Sequence, residues 1–136
     1  MATLDYAFLA DFAKVEPNGA LTAVGASFTF LQAETLPSQH RMAVAGRVRA
    51  KLTDGSVTLR VEVLGPDDTF RLAAEGELAP SPEARPYGDG YIGHIFALDL
   101  QIPLPQRGLY RVQVHVNGEF ARMLAFDVVP TAAGDE

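Results

Sequence analysis

The chain has 136 residues, 48% of them hydrophobic, and a formal net charge of −6, which fits one domain with enough apolar material for a core. The negative charge disfavours nonspecific binding to nucleic acid, and the absence of cysteine excludes disulfides, thiol nucleophiles and cysteine-ligated metal centres. The sequence has no apolar run of membrane-helix length and no basic stretch typical of a signal peptide, so we expect a cytoplasmic protein without membrane contact.

Short alternating segments, separated by turn residues such as Asn18-Gly19, Asp54-Gly55 and Asn117-Gly118, run along the chain. This pattern predicts an all-β fold, a two-sheet antiparallel β-sandwich of immunoglobulin-like type with about 7–8 strands. We expect a single domain over residues 1–130 and a flexible acidic tail over 131–136. In chain order, strands are predicted at about 4–15, 21–32, 41–51, 56–64, 69–78, 91–102, 109–116 and 119–129.

Alternation within three of these strands predicts which side chains enter the core. Successive side chains of a strand point to opposite faces, so the apolar member of each pair should point inward. The expected inward residues are Val57, Leu59, Val61 and Val63; Ile92, His94, Phe96, Leu98, Leu100 and Ile102; and Tyr110, Val112, Val114 and Val116.

The last hairpin allows two registers. A two-residue loop at Asn117-Gly118 would turn Phe120 and Phe126 toward the polar face of the preceding strand. A three-residue loop with a left-handed glycine would instead pair His115 with Glu119 and place apolar residues opposite one another. We predict the second register, because a shift of one residue reverses every side chain.

Successive antiparallel strands would sort the turns to two ends of the domain. We expect one end to hold Asn18, Asp54, the 79–90 loop and Asn117, and the other to hold 33–40, Gly65–Asp68, Pro103–Gly108 and both termini. This sorting separates Asp67 and Asp68 from Asp54 and Asp89. It therefore disfavours a calcium site, which needs six to eight oxygens in one place.

Several residue patterns are similar to parts of catalytic or cofactor sites but lack their context. Residues 88–93 read G-x-G-x-x-G, but a strand pattern follows where a dinucleotide site needs a helix. Ser27 lies in a strand pattern rather than in a nucleophile elbow. His40, His94 and His115 are assigned to different faces, so we expect no metal and no cofactor. His94 is interpreted as a hydrogen-bonded core histidine.

A basic stripe follows the outer face of the third predicted strand. It comprises Arg41, Arg47, Arg49 and Lys51, with Arg60 expected alongside. Glu62, Glu75 and Glu77 supply neighbouring carboxylates, so we interpret the stripe as cross-strand ion pairing. An anionic partner is the alternative.

Asp5 and Asp11 share a face of the first predicted strand. They lie roughly 20 Å apart along an extended chain, too far to act on one bond. We expect Asp11 to accept hydrogen bonds at the end of that strand.

The segment 79–91 is the longest predicted loop, and it contains three prolines and two tyrosines. Loops on a rigid scaffold often bind partners, and tyrosine and arginine are favoured at interfaces. Its candidate binding residues are Arg85, Tyr87, Asp89 and Tyr91. The equal alternative is a proline-stiffened crossover between sheets.

The opening residues 5–15, followed by Gly19-Ala20-Leu21 and Gly25-Ala26-Ser27-Phe28, resemble a family of small uncharacterised bacterial proteins. Members of that family open with Y-A-x-L-A-D-x-A-x-V. The C-terminal Gly108-Leu109-Tyr110 and Val116-Asn117-Gly118 are similar to the ends of many immunoglobulin-like sandwiches. The resemblance implies a bacterial cytoplasmic β-sandwich and no catalytic residue.

Three functional hypotheses follow from this pattern. The first is a non-enzymatic interaction or structural module that binds a protein partner or itself, and not nucleic acid. The second is a module that binds a sugar or another metabolite near the 79–90 loop. The third is an enzyme with an unfamiliar carboxylate or tyrosine site, and the fold alone does not choose among the three.

Overall fold

The structure, a computed structural model, describes residues 2–82 and 84–131 of the chain. Its strands are β1 Thr3–Ala10, β2 Phe12–Val15, β3 Leu21–Val24, β4 Phe30–Ala33, β5 Ser38–Lys51, β6 Val57–Leu64, β7 Arg71–Leu78, β8 Tyr91–Leu104, β9 Gly108–Val116 and β10 Glu119–Pro130. Short 3₁₀ turns lie at Leu52–Asp54 and Pro66–Asp68. Within the described ranges, no helix is long and apolar enough to cross a membrane. Most of the predicted flexible tail lies outside the described residues.

The first two predicted strands are each broken, which raises the strand number above the expected eight. The first bends at Asp11, whose amide donates to the carbonyl of Val24 at 3.0 Å. The second is interrupted by Gly25 and Ser27, which have positive φ angles of 64° and 66°. Left-handed backbone cannot continue a strand, so β2 and β3 form a separate two-stranded ribbon.

The other eight strands form two sheets with the orders β1-β5-β8 and β4-β10-β9-β6-β7. Neighbours are antiparallel except β4 and β10, which run parallel. The prediction of an entirely antiparallel sandwich is wrong for this pair. No hairpin joins β4 to β10, so a turn does not dictate their relative direction.

The core lies between the two sheets, on the faces that alternation predicts. The prediction is confirmed for β6, β8 and β9: all its inward residues are buried except Leu98, which is half-buried. β5 adds Met42, Val44 and Val48, and β10 adds Phe126. On the outer face of β5, Ala43 and Ala45 are also buried, and β2 contacts β5 and β8.

The last hairpin has the two-residue loop, so the predicted register is wrong. Asn117 and Gly118 have φ angles of 51° and 81°, as a type I′ turn requires. Phe120 pairs with His115 and is 57% exposed. A bulge between Phe120 and Arg122 then shifts the register and returns Phe126 to the core. One extra residue in β10 reconciles the tight turn with the apolar pattern.

The turns lie at the predicted ends of the domain, but the N-terminus does not. Gln106 donates to Asp67 at 3.1 Å, which joins two of the turns assigned to the far end. The N-terminus, however, starts at the opposite end, because Thr3 pairs with Arg49. The bend at Asp11 reverses the expected direction of the first strand.

Tyr110 ties the start of β9 to the loop before it. Its hydroxyl donates to the carbonyl oxygen of Gln106 at 2.7 Å. The ring is fully buried and stacks on Phe126, with centroids 5.2 Å apart. Burial raises the pKa of the Tyr110 hydroxyl. This residue therefore anchors a loop and fills the core at once.

Gly46 marks a close approach of two backbones, and its replacement tests the packing of β1 on β5. A Cβ atom there would overlap the carbonyl oxygen of Tyr6 and lie 2.9 Å from the Cα atom of Ala7. We expect Gly46→Ala to lower the free energy of unfolding by about 2–3 kcal/mol, as measured by urea denaturation. Gly76→Ala is the control, because nothing lies within 4 Å of its Cβ. Equal stability of the two variants would contradict this packing.

Tyr110→Phe removes one hydroxyl and keeps the buried ring. We expect a loss of about 1 kcal/mol in the free energy of unfolding, the net contribution of a typical hydrogen bond. The urea midpoint should fall while the m value is unchanged. Tyr91→Phe, whose hydroxyl has no hydrogen-bond partner among the described residues, should leave the midpoint in place.

Candidate functional site

One end of the outer face of the three-stranded sheet gathers tyrosines and cations. Arg47, Arg49 and Lys51 share this face because they alternate along β5. Tyr6 of β1 pairs with Arg47, and Tyr91 of β8 pairs with Lys51. We call this surface the tyrosine–cation face; it comprises Tyr6, Arg47, Arg49, Lys51, Tyr87 and Tyr91.

A bulge in β1 brings a carboxylate to the same place. Leu4 pairs with Val48 and Tyr6 with Arg47, so Asp5 is the extra residue. Its Oδ2 atom accepts a hydrogen bond from Nε of Arg47 at 2.9 Å. Bulges re-aim side chains, and this one directs both Asp5 and Tyr6 to Arg47.

Arg47 is held on several sides. Its guanidinium carbon lies 5.3 Å from the ring centroid of Tyr6 and 5.9 Å from that of Tyr87, within cation–π range. The hydrogen bond to Asp5 raises the pKa of Arg47. Gly93 makes room for the stem of the side chain, since a Cβ there would lie 3.0 Å from Cδ of Arg47. This geometry fixes the centre of the face.

Arg49 and Lys51 approach a different ring. The guanidinium carbon of Arg49 lies 4.8 Å from the ring centroid of Tyr91, and Nζ of Lys51 lies 5.5 Å from it. Nε of Arg49 is 3.9 Å from Oδ1 of Asp5 and makes no hydrogen bond. The carboxylate of Asp54 accepts the backbone amide of Lys51 at 2.9 Å.

A tight turn places the two loop tyrosines. The amide of Tyr87 donates to the carbonyl of Tyr91 at 2.7 Å, and the amide of Tyr91 donates back at 3.1 Å. Gly88 and Gly90 supply positive φ angles of 59° and 88°, which glycine adopts without strain. Asp89 lies exposed at the tip. The backbone of the turn thus presents Tyr87 and Tyr91 beside β5.

The four candidate residues from the sequence separate into two places. Tyr87 and Tyr91 join the tyrosine–cation face, and Asp89 lies in the turn between them. Arg85 lines a cleft instead. Sequence reasoning missed Tyr6 as a member of the face, because β1 and β8 flank β5 only in the tertiary fold.

The expected ion pairing is found for Arg60, which lies near Glu62 and Glu75, but the partners expected for the cations of β5 are wrong. Arg60, Glu62 and Glu75 lie in the other sheet, where Nη2 of Arg60 is 2.9 Å from Glu62. The hydrogen bond from Arg60 lowers the pKa of Glu62. On the stripe itself, Arg41 pairs with Asp99 at the far end of the face. The predicted partners lie on β6 and β7, which belong to the five-stranded sheet, whereas the stripe lies on β5 in the three-stranded sheet.

A cleft of about 630 Å³ opens beside the same loop. Its walls are the β2–β3 turn, the end of β7, the loop around Arg85 and the start of β8; its polar members include Glu16, Asn18, Glu77, Arg85 and His94. His94 is only 7% exposed, its Nε2 atom has no hydrogen-bond partner, and burial lowers its pKa. For that nitrogen, the prediction of a hydrogen-bonded core histidine is wrong.

The remaining motifs take ordinary structural places. Residues 88–93 form a turn that enters β8, and no helix follows. His115 faces Phe120 rather than Glu119. Asp11 lies at the bend after β1, beside Gly25, where a Cβ atom would collide with its carboxylate. Across residues 2–82 and 84–131, no group of three or more histidine, aspartate or glutamate side chains is arranged to hold a metal ion.

Comparison with known proteins adds a family to this geometry. No curated protein matches the chain. A protein family described only as a family of unknown function matches residues 5–129, nearly the whole two-sheet body. The match confirms the expectation of an uncharacterised domain family. The chain therefore belongs to this family of unknown function, DUF6941.

Proposed function

We propose that the chain is a non-enzymatic, cytoplasmic interaction module that binds a protein partner through its tyrosine–cation face. The observation that carries this proposal is the convergence of three tyrosines and three cations on one end of a sheet. Tyrosine and arginine are enriched among the residues that dominate binding energy at protein interfaces. The face offers rings and hydrogen-bond donors rather than a paired acid and base.

The preorganisation of the face supports binding. Arg47 is positioned by Asp5 and by two rings, so its side chain loses little freedom when a partner docks. Tyr87 is 44% exposed and offers much of its ring to a partner. The strands beneath are rigid because their opposite sides pack into the core.

The proposal includes kinship with immunoglobulin-like sandwiches, which commonly serve in recognition. The bond from Tyr110 to the carbonyl of Gln106, four residues upstream, supports it, since such domains carry a tyrosine corner of this kind. Two layers of sheet around a shared core agree with it. A second copy of the chain is the alternative partner for the same face.

The cleft favours a second candidate, a module for a sugar or another small metabolite. The observation behind it is the buried, unpaired Nε2 atom of His94 in the wall of a cavity that also presents Arg85. Binding pockets combine apolar walls with a few polar groups. Leu78 and Ile92 supply apolar walls here.

Removing the rings of Tyr87 and Tyr91 should weaken partner binding. We expect the double variant Tyr87→Ser with Tyr91→Ser to raise the dissociation constant about thirtyfold or more, as the loss of one interface hot spot would. The partner would be isolated by crosslinking in the native host, and the affinity then measured by calorimetry with purified proteins. Phe120→Ser, which removes an exposed aromatic ring from the other sheet, should bind normally. Unchanged affinity of the tyrosine variant, or a strictly monomeric protein without any partner, contradicts the proposal.

Filling the cleft tests the second candidate. A metabolite at a hundredfold excess over its dissociation constant should stabilise the protein by about 2.7 kcal/mol, seen as a higher melting temperature. Ala84→Trp, in the cleft wall, should remove that shift. Ala125→Trp, on an exposed position of β10, should keep it. If no compound of a broad metabolite library raises the melting temperature of the unmodified protein or of the Ala125→Trp variant, this function is excluded.

A further inference from the structure

We propose that Arg49 and Lys51, gathered around the ring of Tyr91, form a receptor for a carboxylate side chain on an acidic segment of the protein partner. The inference rests on the proposed function, because it names the chemistry that the tyrosine–cation face recognises. It concerns a part of that face distinct from Arg47, whose charge is already matched by Asp5.

The first argument is the convergence of two like charges on one ring. The guanidinium of Arg49 and the ammonium of Lys51 lie 4.8 and 5.5 Å from the centroid of Tyr91. Like charges brought together repel one another, and an anion shared between them relieves that repulsion. The ring attracts both cations through its quadrupole but cannot neutralise either of them.

The second argument is that neither cation is closely paired among the described residues. Nζ of Lys51 forms no ion pair within 4.0 Å of a described carboxylate, although Asp54 accepts a hydrogen bond from the Lys51 amide and interacts with its charge at longer range. Arg49 reaches only Asp5, at 3.9 Å. By contrast, Arg60 lies 2.9 Å from Glu62. Arg49 and Lys51 therefore retain hydrogen-bond donors for an incoming anion.

Asp5 demonstrates the geometry that an external carboxylate would repeat. It stands between two arginines, with Oδ2 2.9 Å from Nε of Arg47 and Oδ1 3.9 Å from Nε of Arg49. Its short contact goes to Arg47, so the charge of Arg49 is less closely matched. The Arg49 side chain is 42% exposed, which gives a ligand access to it.

The spacing of the two cations fits an extended acidic segment. Residues 49 and 51 are two apart on β5, which separates their Cα atoms by roughly 6.6 Å. Carboxylates at alternate positions of an extended peptide have the same spacing, so successive acidic residues can engage one cation each.

A nucleic-acid strand fits less well. Its phosphates would continue past the site toward acidic residues such as Asp54 and Asp89, on a chain whose net charge is −6. A short carboxylate segment needs only the two cations. The observations therefore favour a protein segment over a polyphosphate.

The probe for this site is a rhodamine-labelled hexaglutamate peptide, with binding followed by fluorescence anisotropy. We expect salt-sensitive binding that Arg49→Gln with Lys51→Gln weakens about tenfold, the combined effect of two exposed ion pairs. Lys51→Glu alone, which leaves the packing of Arg49 in place, should weaken it as well. Arg41→Gln is the matched control, because Arg41 lies on the same face but pairs with Asp99. Circular dichroism verifies that each variant is folded.

Each other outcome overturns the inference. Equal binding of hexaglutamine would show that charge is not recognised, and equal or tighter binding of hexathymidylate would assign the site to nucleic acid. Loss of binding in Arg41→Gln alone, or no binding of hexaglutamate at all, would also exclude this receptor. If partner capture still depends on Tyr87 and Tyr91, only the acidic receptor fails. If that dependence is lost too, the proposed function fails with it.

Discussion

The structure depends on one constraint, the burial of alternate side chains of β5, β6, β8 and β9 between two sheets. Val44 of β5 and Val61 of β6 are both fully buried in the shared core. Each apolar residue committed to that layer sends its neighbours in sequence to the opposite face. The cations of β5 thus face outward because Met42, Val44 and Val48 face inward.

Local departures from regular strand geometry turn this outer face into a candidate site. The bulge at Asp5 adds one residue to β1 and so brings a carboxylate and a ring to Arg47 together. The tight turn from Tyr87 to Tyr91 adds two more rings from the far edge of the sheet. A bulge in β10 has a different result, since it restores Phe126 to the core after a two-residue turn.

The tyrosine–cation face and the cleft lie on either side of the same loop, yet they differ in chemistry. The face is open and carries cations that rings hold in place. The cleft is lined by Arg85 and by His94. Burial lowers the pKa of His94 and so favours its neutral form. An extended partner suits the face, and a compact molecule suits the cleft. The loop thus joins two surfaces with separate recognition properties.

The sequence alone determined the all-β class and the core faces of β6, β8 and β9, because period-two alternation and turn residues are local signals. It also singled out Tyr87 and Tyr91 as candidates for binding. It did not determine the break at Asp11, the bulge that returns Phe126 to the core, or the parallel pairing of β4 with β10. Alternation reads the same across a bend, and one extra residue is visible only against its partner strand. Arg47 contacts Tyr6 and Asp5 rather than the expected glutamates, because only the tertiary structure makes β1 the neighbour of β5.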